Sequence, residues 1–377
     1  MRFLIVTHVI HNQQAGKYSA YGPYVREMNI WIKHAQQVII VAPLVESAIN
    51  PIQVHYEHPE IKFIRIPALN FTSWPERLRS IGLLPVVIWR IFTAMRQADH
   101  IHLRCPGNIG LLGCFCQILF PGKSKTAKYA GNWDWKSNQP WSYRLQQSIL
   151  RHTFFTRKMT ALVYGLWPDK TRNIYPFFTA SYREKEVIET PARTLTQKQP
   201  TRFIFVGTLT ANKQPMLVLK TIKLLSDLGY NVQLDFFGEG PERTDLQRFV
   251  QENNLEGYVT LHGNIAHHTL TVAYRQSHFL LFPSKSEGWP KAVAEAMFWG
   301  CLPVTTPVSC VPQMLGNGSR GVLIPHADPA AIVQAIEQQL NNPDSYAEQV
   351  AGAMAWSRQF TLDRFEHEIQ HLLNNPK

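Results

Sequence analysis

The chain has 377 residues, of which 45% are hydrophobic and 17% charged, and this composition predicts a folded protein of two or three domains. It excludes a disulfide-stapled mini-protein and a disordered chain. The net charge of +11 is uneven, because residues 1–190 hold 23 lysines and arginines against 11 acidic residues and residues 191–377 hold 15 against 16. The first half is therefore expected to meet an anionic partner, and a basic but merely solvated face is the alternative.

Short apolar runs alternate with segments of helical periodicity along the whole chain, a pattern typical of parallel sheets with crossover helices. In the first half, strands are predicted at 3–6, 38–42, 62–66, 100–103, 127–130 and 161–164, and helices at 24–34, 84–95, 109–119 and 141–150. In the second half, strands are predicted at 202–206, 232–236, 259–262, 279–282, 302–305 and 321–324, and helices at 215–228, 241–252, 270–276, 292–298 and 329–340.

The polar segment 191–201 carries two prolines and lacks periodicity, so it is predicted to link two doubly wound domains, 1–190 and 202–356. An amphipathic tail closes the chain at 357–377.

The apolar windows 81–95 and 109–120 are shorter than the roughly 20 residues that span a bilayer, the first being interrupted by Pro85 and Arg90. No signal peptide is recognised, and the five cysteines suggest buried free thiols, so we expect a cytoplasmic protein that is not integral to a membrane.

Two turns of the second half have features of phosphate-binding loops. Gly207 follows a strand and Pro215 opens a helix, whose free amides can bind a phosphate, and Lys213 lies beside that point. An exposed loop lysine is the alternative. Gly238 and Gly240 follow the next strand, where glycine permits close approach of backbone to a ligand. Neither turn is the dinucleotide fingerprint, which argues against a dehydrogenase.

A third segment, 281–304, places Glu287 at the end of a loop and Glu295 eight residues later within a helix. Carboxylates accept paired hydrogen bonds from vicinal diols such as those of a ribose or hexose. Because the neighbours of Glu295 are mostly apolar, its charge needs a partner or a ligand.

These residues resemble family 4 retaining glycosyltransferases, whose GT-B fold has two Rossmann-like domains facing across a cleft. The resemblance covers most of residues 200–340 and rests on the VG…K turn, FFGEGPER, YRQSHFLLFPS, the E-x7-E element, WGCLPVTTPVSCVPQML and GSRGVLIPHADPAAIVQAI, in order. The first half resembles the family more loosely, and GKYSAYGPYVREMNIW and KYAGNWDWKSNQPW are similar to bacterial enzymes of surface-polysaccharide assembly.

The resemblance implies roles for individual residues. Glu295 would hold the ribose of a nucleotide sugar, Glu287 would contact the transferred sugar, and Lys213 would bind the diphosphate and stabilise the leaving nucleotide. It implies a metal-independent enzyme with no cofactor beyond its nucleotide diphosphate-sugar. The remaining donor-binding candidates are Gly207, Thr208, Gly238, Gly240, Gly288, Trp289 and Lys291 in the second half, with Gly22 and Gly16 in the first.

The chain departs from the family pattern at three positions. Thr208 replaces an arginine after Gly207, Pro290 replaces a glycine, and Arg104 stands near the place of a first-half histidine. Arg104 is interpreted as a catalytic or phosphate-binding candidate that could supply the missing cation.

Aromatic and basic stretches of the first half suggest an acceptor site and a lipid-facing surface. Trp133 and Asp134 are acceptor candidates, with a core position as the alternative for the tryptophan. Four arginines flank an apolar run, namely Arg77, Arg79, Arg90 and Arg96. They could contact anionic lipid headgroups, and the alternative is that they are solvated on a helix packed against the sheet. By resemblance, the final helix would cross back to the first domain.

By this resemblance, the sequence predicts a retaining hexosyltransferase that modifies a lipid-linked glycan at the inner face of the cytoplasmic membrane. Its partners would be a nucleotide-sugar donor, the glycan or lipid-diphosphate acceptor and an anionic membrane, with no nucleic acid. The alternatives are a non-hydrolysing sugar-nucleotide 2-epimerase on the same fold, a non-catalytic subunit, or a nucleic-acid-binding protein that uses the basic first half.

Overall fold

Two parallel β-sheets, each covered by helices, organise the chain. The computed structural model describes residues 1–46, 53–70, 72–168, 170–190, 193, 195 and 199–374. A first unit comprises residues 1–178 and 365–377, and a second unit comprises residues 179–364.

The strands are Arg2–Val6 (β1), His11–Gln14 (β2), Lys17–Tyr21 (β3), Gln37–Val45 (β4), Gln53–His55 (β5), Ile61–Ile66 (β6), His100–Cys105 (β7), Ser124–Tyr129 (β8), Met159–Tyr164 (β9), Ile174–Phe177 (β10), Thr201–Val206 (β11), Val232–Phe237 (β12), Val259–Gly263 (β13), Phe279–Phe282 (β14), Leu302–Thr305 (β15) and Val322–Leu323 (β16). The helices are Gly22–Ile32 (α1), Trp74–Gln97 (α2), Asn108–Cys116 (α3), Trp141–Arg151 (α4), Pro215–Asp227 (α5), Arg243–Glu252 (α6), His267–Gln276 (α7), Lys291–Phe298 (α8), Val311–Met314 (α9), Pro329–Asn341 (α10), Pro343–Ser357 (α11) and Leu362–Asn374 (α12).

In the first unit the parallel strands run in the order β6-β4-β1-β7-β8-β9-β10. In the second unit the order is β13-β12-β11-β14-β15-β16, all parallel. The central strands are buried on both faces, which explains their continuous apolar runs. The predicted α/β class with two doubly wound parallel sheets is confirmed.

Several elements were not predicted. A β2–β3 hairpin follows β1, with Ala15 and Gly16 at positive φ in its two-residue turn, and its largely polar sequence hides it from hydrophobic patterning. Strands β5 and β10 and helices α9 and α11 were also missed. In addition, the helix predicted to begin at residue 84 begins at Trp74 and continues through Pro85.

Pro85 lies on the exposed side of α2, where water can satisfy the carbonyl that a proline leaves without a helical partner. Helix α2 is therefore long and apolar enough, by length and composition, to cross a membrane, and it is the one such helix in the part of the chain that the structure describes. This finding corrects the expectation that the apolar run is too short.

The second unit begins earlier than the sequence suggests, since residues 179–190 belong to it rather than to the first domain. Tyr182 packs on Phe298 and Trp299, with ring centroids 4.8 and 5.1 Å away. Within the predicted linker, residues 191, 192, 194 and 196–198 lie outside the described residues, as do 375–377 of the predicted tail. Most of α12 belongs to the first unit, where Phe365 packs on Phe177 at 5.3 Å.

Candidate functional site

The order of strands in the second sheet places a crevice between β11 and β14, because the chain leaves β11 in one direction along the sheet and later returns to its other side at β14. In doubly wound sheets, ligands bind beyond the carboxyl ends of the strands at this reversal. The loops that follow the two strands here are residues 207–214 and 283–290.

Hydrogen bonds tie these two loops together. Asn212 Nδ2 donates to the carbonyl of Ser286 at 3.0 Å, and the Lys285 amide donates to the carbonyl of Asn212 at 2.8 Å. Gln214 Nε2 donates to the carbonyl of Pro283 at 2.6 Å. These hydrogen bonds fix the position of loop 207–214 relative to loop 283–290, and with it the positions of their side chains.

Lys213 and Glu287 form an ion pair at this point, with side chains only 19% and 9% exposed. Ser284 Oγ also donates to Glu287, at 2.5 Å, and the Lys213 ammonium lies 4.7 Å from the centroid of the Phe282 ring. The predicted cation and the predicted sugar-binding carboxylate, 74 residues apart in sequence, are thus adjacent. A half-buried ammonium beside a carboxylate can stabilise charge on a departing phosphate while the carboxylate accepts hydroxyl donors.

Glu295 lies within α8 and is buried. Ser181 Oγ donates to its Oε1, and Tyr274 OH donates to its Oε2 at 3.2 Å. Burial raises the pKa of the Tyr274 and Tyr182 phenols, and the nearby Glu295 charge raises them further. Ser181 and Tyr274, both in the second unit, are therefore the partners that the Glu295 charge needs in its apolar helix. The binding of a ribose by Glu295 stays a prediction.

The glycines of the two phosphate-type turns pack against each other. A Cβ at Gly238 would lie 1.9 Å from the Gly207 carbonyl oxygen, and one at Gly240 would lie 2.4 Å from the Leu209 carbonyl oxygen. Gly238 and Gly240 are therefore needed for the contact between the two loops. The sequence alone had suggested that they allow the backbone to approach a ligand. Thr208 is exposed beside them.

The other donor-binding candidates lie around the start of α8. The Gly288 carbonyl accepts hydrogen bonds from Ser309 Oγ and Cys310 Sγ, each at 3.2 Å. The Trp289 ring packs against Trp356 and Phe360, with centroids 6.1 and 5.5 Å away. These contacts give Gly288 and Trp289 a structural role. Lys291 is the first residue of α8 and is half-buried.

The first sheet has its own reversal, between β1 and β7, where the sequence pointed to Arg104 but not to His8. His8 follows β1 and is exposed, and its ring lies so close to the chain after β7 that a Cβ at Gly107 would be 2.6 Å from His8 Nδ1. The sequence signal that could have identified His8 is its position in the polar pair Thr7 and His8, which follows β1.

Arg104, at the end of β7, has an acidic partner inside the first unit. Its guanidinium lies 3.5 Å from Glu27 Oε1 and 5.4 Å from the centroid of the Tyr24 ring, and its side chain is 16% exposed. Lys128, which is fully buried, contacts the same Glu27 oxygen at 2.6 Å. The structure thus accounts for Arg104 as part of a buried ionic cluster, and phosphate binding by this residue stays a prediction.

The two first-half glycines do not share a loop. Gly16 lies in the turn of the β2–β3 hairpin, with nothing within 4 Å of where its Cβ would be, whereas Gly22 is buried at the start of α1. The five-residue strand β3 separates them. The hairpin therefore separates two glycines that the sequence grouped as donor-binding candidates, and their contact with a donor stays a prediction.

Burial removes Trp133 from the acceptor candidates, because its side chain is 1% exposed and packs edge-on against Tyr129 at 4.9 Å. Asp134 accepts a hydrogen bond from the Lys136 amide at 2.9 Å and so shapes the local turn. Trp135 and Trp141 are 44% and 75% exposed, and they are the tryptophans of this segment that could stack on a sugar.

Among the described residues, no group of three or more His, Cys, Asp or Glu side chains could hold a metal ion. All five cysteines are buried and free.

Residues 187–356 match the family described as glycosyl transferases group 1. The chain is 23% identical over 141 residues to the alpha-D-kanosaminyltransferase of Streptomyces kanamyceticus, covering 37% of this chain and 36% of the relative. It is 27% identical over 143 residues to the putative colanic acid biosynthesis glycosyltransferase WcaL of Escherichia coli, covering 36% and 35%. The matched region thus spans about a third of the length of these curated relatives.

The fold is similar to that of HepE from Anabaena, solved in complex with UDP and glucose. The TM-score is 0.69 at 12% sequence identity, over 99% of each chain. At this identity the likeness concerns the fold alone.

Proposed function

Because residues 187–356 match the family described as glycosyl transferases group 1 and the chain has the GT-B fold, we propose that it is a retaining glycosyltransferase that moves a hexose from a nucleotide diphosphate-sugar to a glycan acceptor. The observation that carries the proposal is the ion pair between Lys213 and Glu287 at the reversal of the second sheet. It joins a cation suited to a diphosphate with a carboxylate suited to sugar hydroxyls.

In this proposal the bond between the anomeric carbon and the diphosphate oxygen breaks, and the acceptor oxygen bonds to that carbon on the same face. The acceptor proton passes to the departing phosphate oxygen. Lys213 would stabilise the negative charge that grows on the phosphate, the interaction that generally supplies the largest share of such rate enhancements. Glu287 would hold the sugar through its hydroxyls, and neither a metal nor a cofactor would be needed.

The acceptor is the less specified partner. We assign it to the first unit, as a lipid-linked glycan of cell-surface polysaccharide synthesis at the inner face of the cytoplasmic membrane. The name of the Escherichia coli relative and the basic character of residues 1–190 support this assignment.

A thermal-shift panel of UDP-, GDP-, ADP- and dTDP-sugars tests the donor, because a ligand that binds only the folded state raises its stability. The sugar released or transferred from the best donor is then followed by NMR, which reports the anomeric configuration. Lys213→Ala is expected to abolish turnover. Lys223→Ala is the matched control, because Lys223 lies in the last turns of α5, outside the crevice loops, where it is ion-paired with Asp227. Equal loss in both variants, or no binding of any donor, would overturn the proposal.

A further inference from the structure

Helix α2 has two apolar sides. On one side Val87, Ile91, Ala94 and Met95 are buried against the first sheet. Large apolar residues also occupy a second face of the helix, where Trp74, Leu78, Ile81 and Ile88 are spaced four, three and seven positions apart and Trp89 lies next to Ile88. These five side chains are 41–74% exposed. We call these five residues the outward stripe. A helix that is apolar on both sides normally has both sides covered.

The charges of α2 indicate what covers the stripe. The helix carries four arginines, at positions 77, 79, 90 and 96, against the single acid Glu76. Thr72 Oγ1 and Ser73 Oγ donate to the Glu76 carboxylate at 2.6 and 3.1 Å, which holds that charge at the start of the helix. Apolar side chains with basic flanks match a surface that combines hydrocarbon with negative headgroups.

The apolar surface continues beyond α2. Phe92 packs on Phe120 at 5.2 Å, and the neighbouring Leu119 is 66% exposed. Gln117 Nε2 donates to the Phe155 carbonyl at 2.9 Å, which ties this region to the segment that contains Phe154. The Phe154 ring is 64% exposed, and its centroid lies 5.0 Å from the Arg157 guanidinium. Two segments distant in sequence thus present aromatic and basic side chains on one unit.

We propose that the outward stripe, with the adjoining Leu119 and Phe154, docks on the surface of an anionic lipid bilayer. The helix lies in the plane of the interface instead of crossing the bilayer, because its inner side is part of the core of the first unit. Aromatic rings suit the depth of the headgroups, and the arginines meet their negative charge. The inference goes beyond the proposed function, since it holds whichever sugar is transferred.

Flotation of the full chain with vesicles of phosphatidylcholine, with and without phosphatidylglycerol, tests the proposal. The chain is expected to float with the anionic vesicles. The double variant Trp74→Ser/Trp89→Ser should bind them about tenfold or more weakly, because two interfacial anchors are lost. Arg77→Gln/Arg79→Gln should weaken binding by about fivefold per arginine at low salt. The matched control is Leu228→Ser/Val272→Ser, at residues that are 55% and 47% exposed in the second unit.

Three results would overturn the proposal. Equal flotation of the tryptophan and control variants would exclude the stripe as the contact. Retention in the membrane fraction after alkaline carbonate washing would indicate a spanning helix. Self-association of the wild type that the tryptophan variant abolishes would show that a second copy covers the stripe. Circular dichroism and thermal shifts with nucleotide sugars verify that each variant is folded and binds donor, which separates this test from that of the proposed function.

Discussion

Lys213 and Glu287 are ion-paired between the loop that follows β11 and the loop that follows β14. The pair is mostly withdrawn from solvent, and Ser284 is a further donor to the carboxylate. In the absence of donor the two charges neutralise each other, so a bound diphosphate would have to share or take over the ammonium. The pair therefore links the stability of the second unit to the proposed chemistry.

Lys213→Met is expected to lower the free energy of unfolding by about 1–3 kcal/mol, because it leaves the Glu287 carboxylate buried without a cation. Glu287→Gln in the same chain should restore most of that loss but none of the donor turnover. Urea unfolding of the two single variants and the double variant measures the coupling. Strictly additive losses would contradict an energetic role for the pair.

Glu295→Ala is expected to destabilise the chain by about 2 kcal/mol even without ligand, because the buried hydroxyls of Ser181 and Tyr274 lose their acceptor. If Glu295 also binds the ribose, the variant should lose the thermal shift caused by the nucleotide diphosphate. Tyr274→Phe removes one of the two hydrogen bonds and leaves the carboxylate, so it should retain that shift. A full thermal shift in Glu295→Ala would show that its role is structural alone.

His8→Ala should reduce kcat/KM for the acceptor by about tenfold or more while donor affinity is unchanged, if the crevice between β1 and β7 binds the acceptor hydroxyl. Gly107→Ala should have a similar effect, because the new Cβ would collide with the His8 ring. Gly122→Ala is the control, since nothing lies within 4 Å of that Cβ position. Steady-state kinetics with the acceptor varied measure the effect, and unchanged acceptor kinetics in His8→Ala would exclude this residue.

Trp133→Ala is expected to lower the free energy of unfolding by about 3–5 kcal/mol, as for other buried large aromatics. Trp141→Ala should change it by less than about 0.5 kcal/mol, because this ring is largely in solvent. Differential scanning fluorimetry compares the two directly. An effect of Trp141→Ala on KM for the acceptor, at unchanged stability, would assign sugar stacking to that residue.

Burial, aided by Arg193 and Arg202, lowers the pKa of His278 to about 4. Its Nδ1 accepts a hydrogen bond from the Arg202 amide at 3.0 Å, which requires the unprotonated nitrogen. The unfolded chain binds this proton near pH 6.5, so the contribution of His278 to stability is complete above pH 6.5 and is lost as the pH falls toward 4.

His278→Asn, whose Oδ1 can accept the same hydrogen bond, should therefore flatten the pH dependence of stability between pH 6.5 and 4. Urea unfolding at several pH values measures this slope. His326→Asn, at an exposed position, provides the comparison and should leave the slope as in the wild type.

Sequence patterning predicted all six strands of the second sheet because they are regular. Apolar runs of the length of β11 or β14 between helical segments have few other interpretations, and their loops carry the residues of the resemblance. The β2–β3 hairpin was missed because its side chains are largely polar and its pairing depends on a turn at Ala15 and Gly16. The length of α2 was underestimated because a proline was treated as a stop, although an exposed turn tolerates it.

The amino-acid sequence by itself determined the α/β class, the two sheets and the identity of Lys213 and Glu287 as the residues of interest, because hydrophobic periodicity and short motifs are local properties. Only the tertiary structure decided what each charge contacts. It paired Lys213 with Glu287, gave Glu295 the hydroxyls of Ser181 and Tyr274, placed Arg104 beside Glu27, and buried Trp133. These contacts join residues far apart in the chain, so they follow from the order of strands in each sheet, which no local pattern encodes.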